Sequence, residues 1–181
     1  MNRVPLIDRN NTSAERKQTL DAINAAFGVT PKMFRAVANS PAALNSMWGS
    51  FGALGAGVIS ARLGEQIAVA VADRNTCNYC LAAHTALGMK AGVSADDLAS
   101  AQSGESSDPK TRAALQFALK LVEKRGQIES ADVDAVRKAG FNDEGIVEIL
   151  AHVALNLFTN YVNIAFDVPV DFPTVQLRRA A

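Results

Sequence analysis

The chain has 181 residues, 49% of them hydrophobic, which is enough for one domain with a sizeable core and too apolar for a disordered protein. The 18 Lys and Arg residues balance the 18 Asp and Glu residues. No basic stripe is interleaved with aromatic side chains, so the sequence lacks the charge pattern typical of nucleic-acid-binding proteins. Residues 1–17 are polar, and no apolar run approaches the length of a membrane span, so we expect a cytoplasmic protein.

The predicted elements are helices throughout, because good helix formers dominate and no long stretch alternates with a period of two. Thr30, Ser40 and Asp108 each precede a proline and are expected to cap a helix. In chain order we expect helices at 12–27, 31–39, 41–56, 60–74, 77–91, 94–102, 109–126, 130–139 and 142–165. The tail 166–181 holds two prolines and should be irregular. We therefore predict one all-α domain over residues 1–181.

The stretch TCNYCLAAH, residues 76–84, contains both cysteines of the chain and one of its two histidines. Because a helix turns about 100° per residue, Cys77, Cys80 and His84 share one face of a helix. Thr76 is the expected N-cap, which would place Cys77 in the first turn. The free amides and the dipole of a helix start favour a thiolate there. The spacing also allows a disulfide across one turn.

Glu65 is the one charged residue in the interior of the apolar helix that precedes the cysteines. If the two helices form a hairpin, Glu65 reaches the cysteine face, where a carboxylate can transfer protons. The cysteines could instead be small buried side chains. They could also bind zinc, with Cys77, Cys80, His84 and Glu65 as ligands, although no second cysteine pair supports a structural zinc site. We expect no metal and no cofactor.

A second polar stripe runs along residues 142–165. Its members, spaced by four residues, are Glu144, Glu148, His152, Asn156 and Asn160. Polar groups on an apolar helix need partners, so His152 and Asn156 either line a pocket or meet another subunit. Adding 79 to the positions of Glu65, Cys77, Cys80 and His84 gives Glu144, Asn156, Thr159 and Asn163. An internal duplication of the hairpin is therefore a further hypothesis.

The four residues Glu65, Cys77, Cys80 and His84, at intervals of twelve, three and four, resemble the signature of the AhpD-like alkylhydroperoxidases. These proteins belong to the carboxymuconolactone decarboxylase superfamily. The motif-bearing core covers about residues 45–100, and the flanking helices are similar to the longer peroxidase-related members. The resemblance implies an AhpD-like helical bundle that assembles as a homo-oligomer, a trimer or a hexamer.

The resemblance also implies a thiol-dependent peroxidase. Cys80 would attack a hydroperoxide, Cys77 would resolve the product as a disulfide, and Glu65 with His84 would relay protons. A dithiol reductant, lipoyl-type or thioredoxin-like, would reset the pair. The residues themselves leave the attacking cysteine open, since the helix dipole favours Cys77 and the i,i+4 position of His84 favours Cys80.

Tyr79 is a departure, because some members carry a histidine at that position. Tyr79 therefore joins His152 and Asn156 as a residue of a possible pocket or interface. Two other classes of function remain as alternatives. One is a non-catalytic, redox-sensing or zinc-binding assembly protein, and the other is a non-redox decarboxylase-type enzyme.

Overall fold

The computed structural model describes residues 2–178, and helices are the only regular structure in that range. All of these helices lie where the sequence predicts them, so the all-α fold is confirmed. In chain order they are α1 (Ala14–Phe27), α2 (Lys32–Val37), α3 (Pro41–Gly55), α4 (Ala61–Arg74), α5 (Asn78–Lys90), α6 (Ala95–Ala101), α7 (Pro109–Glu123), α8 (Ser130–Lys138) and α9 (Asp143–Ala165).

Polar side chains cap several helix starts as predicted. Ser40 and Asp108 accept hydrogen bonds from the amides of Ala43 and Thr111, which have no partner inside the helix. The predicted cap at Thr30 is wrong. The N-cap of α2 is Pro31, and the hydroxyl of Thr30 bonds instead to the side-chain oxygen of Asn24, at 3.2 Å.

The predicted end of the seventh helix at residue 126 is also too late. The helix α7 ends at Glu123. Arg125 and Gly126 follow with φ of 53° and 79°, in the left-handed region that ends a helix. Residues 124 and 125 are good helix formers, so helix propensity alone does not predict this end.

The helix α4 lies at the centre of the fold and packs against α5, α6, α7 and α9. Its residues 66–73 are buried without interruption, so neighbours surround it on all sides. Small side chains such as Ala68, Ala70 and Ala72 let these neighbours approach closely. Glu65 stands one residue before this buried run, at the edge of the core.

The helices α4 and α5 form the hairpin that the sequence predicts. The hypothesis of an internal duplication is wrong in its proposed register, because residues 144–163 lie within one unbroken helix, α9. Residues 65–84, in contrast, span two helices and a turn. The two segments cannot superpose over their whole length.

The C-terminal segment, residues 166–178, is irregular as predicted and packs onto its own chain; the rest of the predicted tail, residues 179–181, lies outside the described residues. The backbone amide of Arg178 donates to the buried carboxylate of Asp73, at 2.8 Å. Nearer its start, Asp171 accepts hydrogen bonds from the amide of Lys32 and the hydroxyl of Tyr79. This segment therefore joins α2 to the hairpin of α4 and α5.

Among the described residues, α9 alone has the length and apolar character of a membrane span. Half of its most apolar window is buried inside the fold, however, and the core helix of a protein without any span meets the same criteria. This is weak evidence for a membrane helix.

Candidate active site

The turn between α4 and α5 carries a disulfide between Cys77 and Cys80, with a Cα–Cα distance of 5.3 Å. The prediction of Thr76 as the N-cap is wrong. Cys77 itself is the N-cap, and its sulfur accepts a hydrogen bond from the amide of Cys80, at 3.2 Å. Thr76 has a φ of 55° and belongs to the turn. This unusual conformation for a β-branched residue shifts the helix start by one position.

The two cysteines are both buried, with 1% of Cys77 and 2% of Cys80 exposed. Their surroundings differ. Cys80 lines a cavity of about 40 Å³ together with His84, whereas Cys77 is not among its lining residues. Only one sulfur of the pair therefore belongs to a residue that borders a space where a small molecule fits.

His84 and Glu65 meet as the sequence predicts. The Nδ1 atom of His84 lies 2.8 Å from Oε2 of Glu65, and both side chains are largely buried. A carboxylate partner at Nδ1 fixes the ring orientation and leaves Nε2 for another partner. The hairpin thus brings Glu65, Cys80 and His84 into one site.

The cavity beside Cys80 is apolar over most of its surface. Its aromatic lining consists of Phe27, Phe34, Phe51, Tyr79 and Phe172. Met33 and Leu87 add aliphatic surface. This lining suits a small uncharged molecule and disfavours a strongly hydrated one.

Tyr79 forms part of the wall of this cavity. Its ring packs edge-on against Phe172, with centroids 5.8 Å apart. Its hydroxyl donates to Asp171 at 2.8 Å, and Asp171 also forms an ion pair with Lys32 at 2.9 Å. Burial, aided by the Asp171 carboxylate, raises the pKa of Tyr79 well above its usual range. The phenol therefore stays protonated and holds the C-terminal segment over the site.

His84 also borders a second cavity, of about 220 Å³. Glu65, His152 and Asn156 line this cavity too. The Nε2 atom of His152 is buried and has no hydrogen-bond partner among the described residues. Burial lowers the pKa of His152, so the ring is neutral at pH 7.

The other members of the second stripe have different tasks. The carboxylate of Glu148 accepts hydrogen bonds from the amides of Val58 and Ile59, which lowers the pKa of Glu148. The side-chain oxygen of Asn160 accepts from Asn75 in the hairpin turn, at 2.9 Å. Glu144 is exposed. Glu148 therefore stabilises the loop before α4, and Asn160 stabilises the turn between α4 and α5.

Sequence reasoning missed one residue of the site. The side-chain amide of Asn163, on α9, donates to the sulfur of Cys80 at 3.2 Å. Asn163 also lines the cavity beside Cys80. A polar residue on an apolar helix signals a buried partner, but nothing in the sequence identifies a partner 83 positions away.

The described residues contain no group of three His, Cys, Asp or Glu side chains arranged to hold a metal ion. A zinc site at the hairpin would need two separate thiolates. In this structure the two sulfurs are bonded to each other.

Comparison with known proteins finds one matching family model. The model of the Carboxymuconolactone decarboxylase family matches residues 40–124, which include the hairpin and both cysteines. No curated protein matches the chain significantly. The similarity to known proteins therefore rests on the family model and on solved structures.

Two solved structures resemble nearly the whole chain. A peroxidase-related protein from Silicibacter sp. TM1040 is 27% identical, with a TM-score of 0.81 over 92% of this chain and 88% of that chain. An alkylhydroperoxidase AhpD core protein from Ralstonia eutropha JMP134 is 26% identical, with a TM-score of 0.83 over 94% and 92%.

A third structure, the debrominase Bmp8, is 21% identical with a TM-score of 0.79, over 93% of this chain and 91% of that chain. This likeness concerns the fold alone. The family match over residues 40–124, the two peroxidase-related structures and the disulfide at the start of α5 together support the resemblance of the chain to the AhpD-like carboxymuconolactone decarboxylase superfamily.

Proposed function

We propose that the chain is a thiol-dependent peroxidase that reduces hydroperoxides with the Cys77–Cys80 pair. The observation that carries the proposal is the position of Cys80. It is bonded to a second cysteine, borders a small apolar cavity, and shares that cavity with a histidine held by Glu65. These are the parts that a two-electron thiol reduction needs.

The first half of the reaction begins with the reduced pair. Nε2 of His84 accepts the proton of the Cys80 thiol, and Glu65 stabilises the resulting imidazolium through Nδ1. The Cys80 thiolate attacks the terminal oxygen of the hydroperoxide, so an S–O bond forms and the O–O bond breaks. The leaving alkoxide takes the proton from His84 and departs as an alcohol.

In the second half, Cys77 resolves the sulfenic acid. The Cys77 sulfur attacks the sulfur of Cys80, and the hydroxide that leaves takes the thiol proton of Cys77 to form water. The products are one alcohol, one water and the Cys77–Cys80 disulfide, which is the state seen here. A dithiol reductant, lipoyl-type or thioredoxin-like, then returns both thiols.

The test is a thiol titration combined with intact mass. The fully reduced protein is treated with one equivalent of tert-butyl hydroperoxide. We expect both thiols to disappear and the mass to fall by about two units, the loss of two hydrogens on disulfide formation. If both thiols persist for minutes while a small alkylating reagent still modifies them, the peroxidase proposal fails.

A second candidate function is reductive removal of bromide from a small aromatic ring, favoured by the aromatic lining of the cavity. Bmp8 shares the fold and has a solved complex with 2,3,4-tribromopyrrole. The Cys80 thiolate would take the bromine from the ring, the ring carbon would gain a proton, and Cys77 would displace bromide as the disulfide forms. Bromide release from tribromopyrrole with excess dithiothreitol, absent in Cys80→Ser, would support it.

We also propose that the chain assembles as a homo-oligomer through α9. One face of this helix exposes large apolar side chains at helical spacing: Val147, Leu150, Phe158, Tyr161 and Ile164. No charged residue interrupts that face. Contiguous apolar surface of this kind usually marks an interface.

A further inference from the structure

One buried acceptor, on a residue that lines the cavity beside Cys80, has no hydrogen-bond partner in the described part of the chain. Asn163 is only 4% exposed, and its Nδ2 atom donates to the Cys80 sulfur at 3.2 Å. Its carbonyl oxygen, Oδ1, is buried and accepts nothing. Because a disulfide or thiolate sulfur can only accept, the N–H side of the amide must face Cys80.

An unpaired buried carbonyl has a cost. Leaving such an acceptor unsatisfied destabilises a folded protein, because the group loses its hydrogen bond to water and gains none in return. Apolar residues of similar size would avoid that cost, and most of the surrounding surface is already apolar. Groups of this kind cluster at functional sites, where a ligand completes the hydrogen bond.

We propose that Asn163 is a substrate-binding residue whose Oδ1 accepts the O–H group of a hydroperoxide; this rests on the proposed peroxidase function. The two ends of one planar amide would then bind both reactants. Nδ2 holds the Cys80 sulfur, and Oδ1 holds the terminal oxygen of the substrate. This arrangement places sulfur and oxygen about 3–3.5 Å apart, the separation of a near-attack geometry.

The same contact persists through the reaction. When the S–O bond forms and the O–O bond breaks, the hydroxyl hydrogen stays on the transferred oxygen. The sulfenic acid of Cys80 can therefore keep donating to Oδ1 until Cys77 attacks. The leaving alkoxide takes its proton from His84, so Asn163 exchanges no proton.

The contact also defines the substrate class. A hydroperoxide, including hydrogen peroxide, has the O–H donor that Oδ1 lacks. A dialkyl peroxide has no such donor and would leave the acceptor unpaired. The site is therefore matched to molecules with a terminal O–O–H group.

The experiment uses the Cys77→Ser protein, in which Cys80 is the single thiol. Two reagents are compared at a pH where that thiol is fully ionised. Tert-butyl hydroperoxide carries the O–H donor, and methyl methanethiosulfonate modifies thiolates without one. Full ionisation removes any effect of Asn163 on the amount of thiolate.

In this background, Asn163→Leu removes both polar ends of the side chain, and Asn163→Ala serves if leucine disturbs the fold. Asn45→Leu is the matched control, because it makes the same change at an exposed position of α3 that lines neither cavity. We expect Asn163→Leu to slow the hydroperoxide reaction roughly 10- to 100-fold. The thiosulfonate reaction should change about threefold or less, and Asn45→Leu should leave both rates unchanged.

Equal losses with both reagents, or no loss with either, would overturn the binding role of Asn163. A parent protein that reacts with the thiosulfonate but not with the hydroperoxide would overturn the peroxidase function as well. The two failures are thus distinct.

Discussion

At the residue scale, the two cysteines differ in their surroundings, because only Cys80 borders the cavity, and the proposed function gives them different roles. We expect Cys80→Ser to abolish peroxidase turnover with dithiothreitol. Cys77→Ser should undergo one rapid oxidation to a sulfenic acid, without a disulfide and without cycling. A coupled turnover assay and trapping of the sulfenic acid with dimedone check both outcomes. Cycling of Cys77→Ser at the wild-type rate would exclude its resolving role.

The contact between Glu65 and His84 gives a second prediction. Glu65→Gln removes the carboxylate that lies 2.8 Å from Nδ1 of His84 and that completes the proposed proton relay. We expect the oxidation of Cys80 to slow by roughly 10²-fold or more, the usual contribution of positioned acid–base groups. Stopped-flow oxidation measures the rate. Glu144→Gln, an exposed glutamate on α9, is the matched control, and an unchanged rate in Glu65→Gln would contradict the relay.

His152 gives a prediction about stability and pH. Burial lowers its pKa in the folded protein, against attraction from Glu148 and Glu65 and together with repulsion from His84. The unfolded chain, with an ordinary histidine pKa of about 6.5, binds the proton more readily. Stability from the neutral ring is therefore present above about pH 6.5 and is lost as the pH falls below it.

We therefore expect His152→Gln to lose less unfolding free energy than the wild type between about pH 7.5 and pH 5.5. The difference should not exceed about 1.4 kcal/mol per pH unit, the limit for one proton. Urea denaturation at the two pH values measures it. Parallel losses in the two proteins would mean that His152 titrates normally in the folded state.

Much of the site could be predicted at this scale, but not all of it. Helix geometry alone puts Cys77, Cys80 and His84 on one face, and a short hairpin between α4 and α5 brings Glu65 to them. Asn163 reaches the same cavity from α9, and that contact depends on tertiary packing across 83 positions. No local pattern encodes it.

At the element scale, local sequence patterns predict the helices more accurately than the turn between α4 and α5, which precedes the cysteine pair. Ser40 and Asp108 cap their helices because each side chain accepts a hydrogen bond from a free amide in the first turn. Thr76 looked like a better cap than Cys77 by the same rule. The structure places Thr76 at a positive φ instead, because the tight connection from α4 to α5 requires it there. Tertiary constraint outweighs capping preference at this position.

The C-terminal segment gives the prediction for this scale. Asp171 ties it to Tyr79 and Lys32 through two hydrogen bonds and one ion pair. Asp171→Ala should lower the unfolding free energy by about 1–3 kcal/mol, since the buried Tyr79 hydroxyl loses its acceptor. It should also speed the reaction of the reduced cysteines with a bulky maleimide.

The control for this change is Asp134→Ala, which removes an exposed ion pair with Arg137 on α8. Exposed pairs of this kind contribute little, about 0–1 kcal/mol. Equal maleimide rates in wild type and Asp171→Ala would show that the segment does not limit access to the cysteines.

At the scale of the whole molecule, α9 has two faces with different tasks. On one face, Asn163 lines the cavity beside Cys80 and Asn156 lines the second cavity. The opposite face exposes Leu150, which is 49% exposed, and Tyr161, which is 60% exposed. Burying the second face against another copy would brace the helix that supports the first.

We therefore expect the wild-type chain to form a trimer or hexamer and Tyr161→Glu to dissociate it, because a charge buried without a partner at an interface is costly. Sedimentation velocity measures both masses. Glu144→Gln, which changes an exposed residue of α9 off the apolar face, should leave the mass unchanged. A monomeric wild type at micromolar concentration would contradict assembly through α9. An unchanged oligomer in Tyr161→Glu would place the interface on another surface, and α9 would then have to be stabilised by its own core contacts alone.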